Sequence, residues 1–170
     1  MALTSTLSVA ASAELTSSLD LGTASAPVNM RRAVTLTSGT AAGQADRVFS
    51  DRRTLAASAT EDLDLAGVLL DAFGAAISFA RIKGLIVSAA AANTNNVIVG
   101  NATSNGFVSW VGGAAHTVTV RPGATLALFA GQADATGYAV TAGTGDLLKV
   151  ANSGAGSSVT YDIVLIGASA

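Results

Sequence analysis

Cysteine is absent from the 170 residues, and histidine and tryptophan occur once each. Without cysteine there are no disulfides and no thiolate metal sites, and the redox compartment stays undecided. A single histidine, His116, cannot supply the ligand set of a zinc site. A catalytic imidazole needs a nucleophile and an orienting acid beside it, and Ala114-Ala115-His116-Thr117 reads as the start of a strand with the ring at its edge. Aromatic residues make up 5% and charged residues 12%, about half the charge of an ordinary soluble domain, near 25%. A glycosidase groove lined with aromatics and carrying a carboxylate pair is therefore poorly supplied. Neither phosphate-binding glycine motif occurs. The expectation is a protein that is not an enzyme and has no cofactor or metal.

Charge excludes further classes. The formal net charge is −2, whereas nucleic-acid binding needs a basic face that displaces counterions. The longest apolar runs fall well short of the ~18–20 residues that cross a bilayer. Met1-Ala2-Leu3-Thr4-Ser5 has no basic leader. Ala11-Ser12-Ala13 resembles a signal cleavage site, but the stretch before it is broken by Ser and Thr, so no secretory signal is expected. The partners expected exclude nucleic acid and membrane.

What is abundant is small and apolar. Half the residues are hydrophobic, and alanine accounts for roughly a fifth of the chain, well above ordinary usage. A buried Ala removes little area from water, so such a core stabilises less per residue than one of Leu and Phe. Sparse charge also leaves a surface poorly protected against association. Both features point to a chain that gains from burying surface against copies of itself.

Residues 1–45 are low in complexity, rich in Ser, Thr, Ala and Leu. Weak alternation shows in Leu3 to Val9 and again in Ala33 to Thr37, patterns that can pair as strands but lack large core residues. They are expected to form an extended N-terminal arm or assembly segment that gains order from a partner. Residues 46–170 are expected to form the body. Positive charge concentrates in Arg31, Arg32, Arg47, Arg52 and Arg53, and acid follows in Glu61, Asp62, Asp64 and Asp71. Opposite blocks close in sequence suggest a hairpin with cross-strand pairs, or contacts between subunits. Pairing with nearby acids is the ordinary fate of exposed arginines. Contact with phosphate or with another protein makes the same five arginines the candidate assembly residues. In Glu61-Asp62-Leu63-Asp64-Leu65, alternation turns Asp62 and Asp64 outward and Leu63 and Leu65 inward. A Ca²⁺ loop would need a sharp-turn Gly and a closing Glu.

Leu69, Phe73 and Ile77 sit at helical spacing, so a short helical turn is expected over 67–74, with a strand from about Ile77. Further strands are expected over 79–87, 96–100, 107–111, 117–121, 125–129, 137–141, 147–151 and 159–166. They are separated by turn signals such as Asn105-Gly106 and Arg121-Pro122-Gly123. Eight short strands at this spacing imply an all-β fold, a jelly-roll-like or Greek-key β-sandwich. Trp110, Phe107, Phe129 and Tyr138 are its expected large core or seam residues. Asn101-Ala102-Thr103 matches a glycosylation sequon without an export signal and reads as chance.

Five stretches give the second half a family character: Ala80-Arg81-Ile82-Lys83-Gly84-Leu85, Asn96-Val97-Ile98-Val99-Gly100-Asn101, Thr119-Val120-Arg121-Pro122-Gly123, Gly143 to Asn152, and Tyr161-Asp162-Ile163-Val164-Leu165-Ile166-Gly167. In these the chain resembles small all-β structural proteins of tailed bacteriophages. The resemblance implies a virion subunit made in the host cytoplasm: a capsid decoration (cement) protein, a homo-oligomer (a trimer) that also contacts the major capsid protein or another virion protein. The alternative is a tail or head–tail component, or a receptor-binding fibre body.

Overall fold

The computed structural model describes residues 2–170, and the described residues contain strands and turns but no helix. In chain order the strands are β1 (Ser5–Leu19), β2 (Gly22–Ser38), β3 (Gln44–Ala45), β4 (Arg47–Leu55), β5 (Thr60–Asp64), β6 (Leu69–Leu70) and β7 (Ala76–Ile77). They continue with β8 (Arg81–Ala89), β9 (Val97–Gly100), β10 (Thr117–Val120), β11 (Thr125–Phe129), β12 (Tyr138–Ala139), β13 (Leu147–Asn152) and β14 (Val159–Ala168). The all-β expectation holds.

Two sheets make the body. One has the order β11-β8-β14-β4, with β12 also paired to β8; the other has the order β10-β9-β13-β5. The ladders within both are antiparallel. Alternation explains how they meet. Leu63, Val97, Leu148 and Val150 from one sheet and Leu85, Val87, Tyr161 and Leu165 from the other share one buried cluster. A buried Leu, Ile or Val contributes ~1.5–3 kcal/mol relative to exposure, so this seam dominates the stability of the body.

β1 and β2 form a separate long hairpin, Ser5 opposite Leu36 and Leu19 opposite Gly22, with Asp20 and Leu21 at the turn. Its root lies on the outer face of the larger sheet. Leu7, Val34 and Leu36 pack there with Ala45 and Ile166, and Ile86, Phe129 and Val164 lie against them. Gly84 makes that seat: a Cβ on it would stand 2.6 Å from Leu7 Cδ1.

Three local expectations are corrected. Residues 67–74 form no helical turn; they lead into the two-stranded β6–β7 hairpin. Asp71 Oδ1 accepts from the N–H groups of Phe73 and Ala75, both at 2.9 Å, and Gly74 sits at φ 82°. A side chain that caps the loop this way outcompetes helix propensity. The strand expected from Ile77 is broken, because β7 ends there and β8 begins at Arg81. Residues 107–111 form no strand: the chain turns at 109–110, folded back so that Trp110 Nε1–H donates to the Phe107 carbonyl at 3.0 Å. The Pro-Gly turn matches its expectation: Gly123 has φ 75°, and Ala124 N–H donates to Arg121 O at 2.8 Å. Phe107 is in the core and Phe129 is the seam against the hairpin root, while Trp110 and Tyr138 are partly buried. The largest fully buried side chains are Tyr161 and Phe79.

Candidate assembly surface

Beyond its root the hairpin stands clear of the body, and every residue from 8 to 33 is exposed. At ~3.4 Å per residue its free length is about 40 Å. Residues directly opposite in an antiparallel pair project from the same face. The register therefore puts Val9, Ala11, Ala13, Leu15, Ser17 and Leu19 on one face with Gly22, Ala24, Ala26, Val28, Met30 and Arg32, a face that is apolar except at Ser17 and Arg32. The other face is mostly polar: Ser8, Ala10, Ser12, Glu14, Thr16 and Ser18 with Thr23, Ser25, Pro27, Asn29, Arg31 and Ala33. Polar side chains on that face bond across the strands: Ser12 Oγ donates to Asn29 Oδ1 at 2.9 Å, and Ser25 Oγ to Glu14 Oε1 at 2.6 Å.

The apolar face is continuous with the buried root. Leu7 is 4% exposed, whereas Leu15 further along the same face is 76% exposed. Val28, Met30 and Leu19 are also bare. A monomer does not ordinarily leave an ordered apolar ribbon in water. Nor is a two-stranded ribbon stable by itself without a third strand or a packing layer. The arm is thus an intrachain hairpin rather than a single segment awaiting a partner strand, and what it lacks is a cover for one face.

A smaller apolar patch lies on the body. Val68, Leu70 and Phe73 are exposed there, beside a cavity of about 350 Å³ lined in part by Leu3, Val48, Phe73 and Ile77.

The five arginines divide into two groups. Arg52 forms a two-bond pair with Asp162, its ladder partner, at 2.6 and 2.9 Å. This contact holds the Asp162 carboxyl below, and the Arg52 guanidinium above, their ordinary values. Arg53 bonds Glu61 at 2.7 Å and Asp51 at 2.8 Å, and Arg47 bonds Asp46 at 3.2 Å. The two charge blocks do not form one hairpin, because β4 and β5 belong to different sheets. Among the described residues, Arg31 and Arg32 on the hairpin meet no carboxylate.

Glu61 joins the two sheets. Its second oxygen accepts from Tyr161 O–H at 2.6 Å. Burial, and then this bond to a carboxylate, push the phenol of Tyr161 far above its ordinary range. Asp62 is exposed and Leu63 and Leu65 are buried, while Asp64 is half-buried and accepts from Ala66 N–H at 2.9 Å. His116 is exposed ahead of β10. Among the described residues no three His, Cys, Asp or Glu side chains are grouped to hold a metal ion.

The sequence reading missed buried Lys83. Its Nζ donates to the carbonyls of Asp134 and Ala135 at 2.7 and 3.3 Å, and burial lowers its pKa. It also missed the two-faced register of the hairpin. The available signal was the period of two from Leu7 to Leu19, resumed from Ala24 to Leu36 on the other side of Asp20-Leu21. Alanine at many of the apolar positions muted it. Compared with known proteins, the chain matches no family model, no curated protein and no solved structure.

Proposed function

We propose that this chain is a structural subunit of a tailed-phage particle, a capsid decoration protein that binds copies of itself and the capsid shell. The observation that carries it is the hairpin, whose apolar face is buried at the root and bare over its free length. Ordered apolar surface of this length is a docking element, and repetition by symmetry multiplies contacts that are individually weak. The five arginines offer the charged part of the shell contact, with Arg31 and Arg32 unspent inside the chain.

A jelly-roll body is part of the reading. It is supported by strand order: lettering β4, β5, β8, β9, β10, β11, β13 and β14 from B to I, the sheets read B-I-D-G and C-H-E-F. That is the order of two Greek keys rolled into facing sheets, an architecture used by viral capsid domains and also by lectins and cupins. The order bears on fold, and on a virion role only by analogy. The phage assignment itself rests on the sequence resemblance.

The test is a particle. Purified virions should contain hundreds of copies, by mass-spectrometric stoichiometry; tens of copies would move the chain to the tail or fibre. Replacing residues 9–32 by a short turn should abolish shell binding while the body stays folded. Normal decoration by that variant would refute the arm as the docking element.

A further inference from the structure

We infer that three copies of this chain close their hairpins into one six-stranded antiparallel tube, apolar faces inward and polar faces outward. The inference rests on the self-association reading above and specifies its geometry.

Two deficits of the free hairpin must be met together. One is the bare face. The other is a pair of long unpaired edges, since β1 pairs only with β2, and β2 pairs elsewhere only with β3 at Thr37 and Ser38. Unpaired edges of this length invite further pairing, and only closure removes them. Laying the face on a flat partner would cover ~35 Å by ~10 Å, or about 350 Å². That is under half of the ~800 Å² per partner of a standard stable interface, and it leaves both edges open. Pairing β1 of one copy with β2 of the next covers the face and both edges at once. The cyclic, head-to-tail contact also closes.

Side-chain size sets the number of copies. Three consecutive levels of the inner face combine a larger and a smaller residue, Ala11 with Met30, Ala13 with Val28 and Leu15 with Ala26, and the next, Ser17 with Ala24, is small on both strands. Small barrels are filled by this kind of alternation. Two hairpins give four strands, too few to enclose side chains. Four hairpins give eight strands, whose interior takes full-sized side chains and would leave voids around the alanines, each void costing stability. Six strands suit the half-small interior. Arg32 shares the level of Val9, next to the root, so its long stem lines the mouth and its charge reaches water there. Pro27 has no N–H, and the ladder between copies lacks one bond at that level.

The experiment uses the full chain. Sedimentation and native mass spectrometry at micromolar concentration should give a trimer. Ala13→Asp, which sets three carboxylates against one another inside the tube, should leave only monomer. Ser12→Asp, one residue away on the outer face, should stay trimeric, and both should keep the body's melting temperature because both positions are exposed. A dimer, a tetramer or a trimeric Ala13→Asp would overturn the tube and leave self-association standing. A wild-type monomer would overturn both.

Discussion

The hairpin and the body are written in the same alternating pattern, and they end in opposite environments. In β13 the inward residues Leu148 and Val150 have no solvent exposure, and in β14 neither have Tyr161 and Leu165. On the hairpin, Leu15 and Val28 occupy equivalent alternate positions and stand in water. A period of two specifies a strand with two faces. It does not supply the second layer that makes one face a core. The body supplies that layer from its own other sheet, and the hairpin does not. The residue types follow: Leu, Ile, Val and Tyr fill the seam where the chain covers itself, and the uncovered hairpin spaces its Leu, Val and Met with Ala, Ser and Thr.

The sharpest break of this comparison is a matched pair of truncations. Leu165→Ala empties a site in the sealed core and should cost ~2–5 kcal/mol. Leu15→Ala should change monomer stability by no more than about 0.5 kcal/mol. Urea unfolding of both at a concentration that keeps the chain monomeric measures the difference. In the assembled state the order should invert, with Leu15→Ala weakening association and Leu165→Ala leaving it intact as long as the body folds. Equal losses in the monomer would mean that the hairpin is already covered by its own body.

Glycine offers a second matched pair. A Cβ on Gly167 would run into the Arg81 carbonyl and the Phe79 ring, where the β14–β8 register shifts. A Cβ on Gly22, at the hairpin turn, would meet nothing within 4 Å. Gly167→Ala should therefore cost ~1–3 kcal/mol through forced backbone movement, and Gly22→Ala should fall within about 0.5 kcal/mol. Thermal melts of the two variants decide it.

These contrasts also show why parts of the molecule were legible and others were not. Sequence pattern and structure agree to the residue over Thr125–Phe129 and to within one or two residues over 117–121, 147–151 and 159–166, because β-branched residues and Gly turns mark these strands locally. The β6–β7 turn is hidden in the sequence because Leu69, Phe73 and Ile77 mimic a helix, while the deciding Asp71 contacts lie in the loop geometry. Sheet membership was illegible. Arg53 reaches Glu61, eight residues on, but Arg52 reaches Asp162 across the sheet, and nothing local separates these two arginines. The hairpin face was half legible: its ends at Leu3–Val9 and Ala33–Thr37 were seen, and its alanine-rich middle was not.

A third, smaller contrast concerns polar ties, which the body has between its sheets and the hairpin has only across its own strands. Tyr161→Phe removes the donor to Glu61 at the seam and should cost about 1–2 kcal/mol. Ser12→Ala removes a solvent-exposed bond to Asn29 and should be near neutral, as exposed substitutions usually are. Chemical unfolding monitored by Trp110 fluorescence compares them. If Tyr161→Phe is also neutral, Glu61 is satisfied by Arg53 alone and the seam rests on apolar contact.

The weakest handle is pH, and its sign follows from two buried groups of the body and one exposed carboxylate. Burial lowers the pKa of Lys83, so between that depressed value and the ordinary lysine value the unfolded chain holds more protons than the folded one. Stability therefore rises with pH across that window. Burial and the Glu61 bond raise the pKa of Tyr161, so above the ordinary tyrosine value of about 10 the folded chain keeps a proton that the unfolded chain loses. There stability falls as pH rises. At the acid end, the Gly137 and Thr136 N–H groups hold the Asp134 carboxyl below its ordinary value. Its contribution is present above that ordinary value and is lost as pH falls through the depressed one. Urea midpoints should thus climb gently through the alkaline range and turn over near pH 10. Lys83→Met should flatten the climb, and Tyr161→Phe should weaken the turnover, leaving the part that comes from Tyr138, whose phenol burial also raises. A wild-type profile that falls throughout the alkaline range would show that the Lys83 carbonyl contacts hold its charge more firmly than burial opposes it.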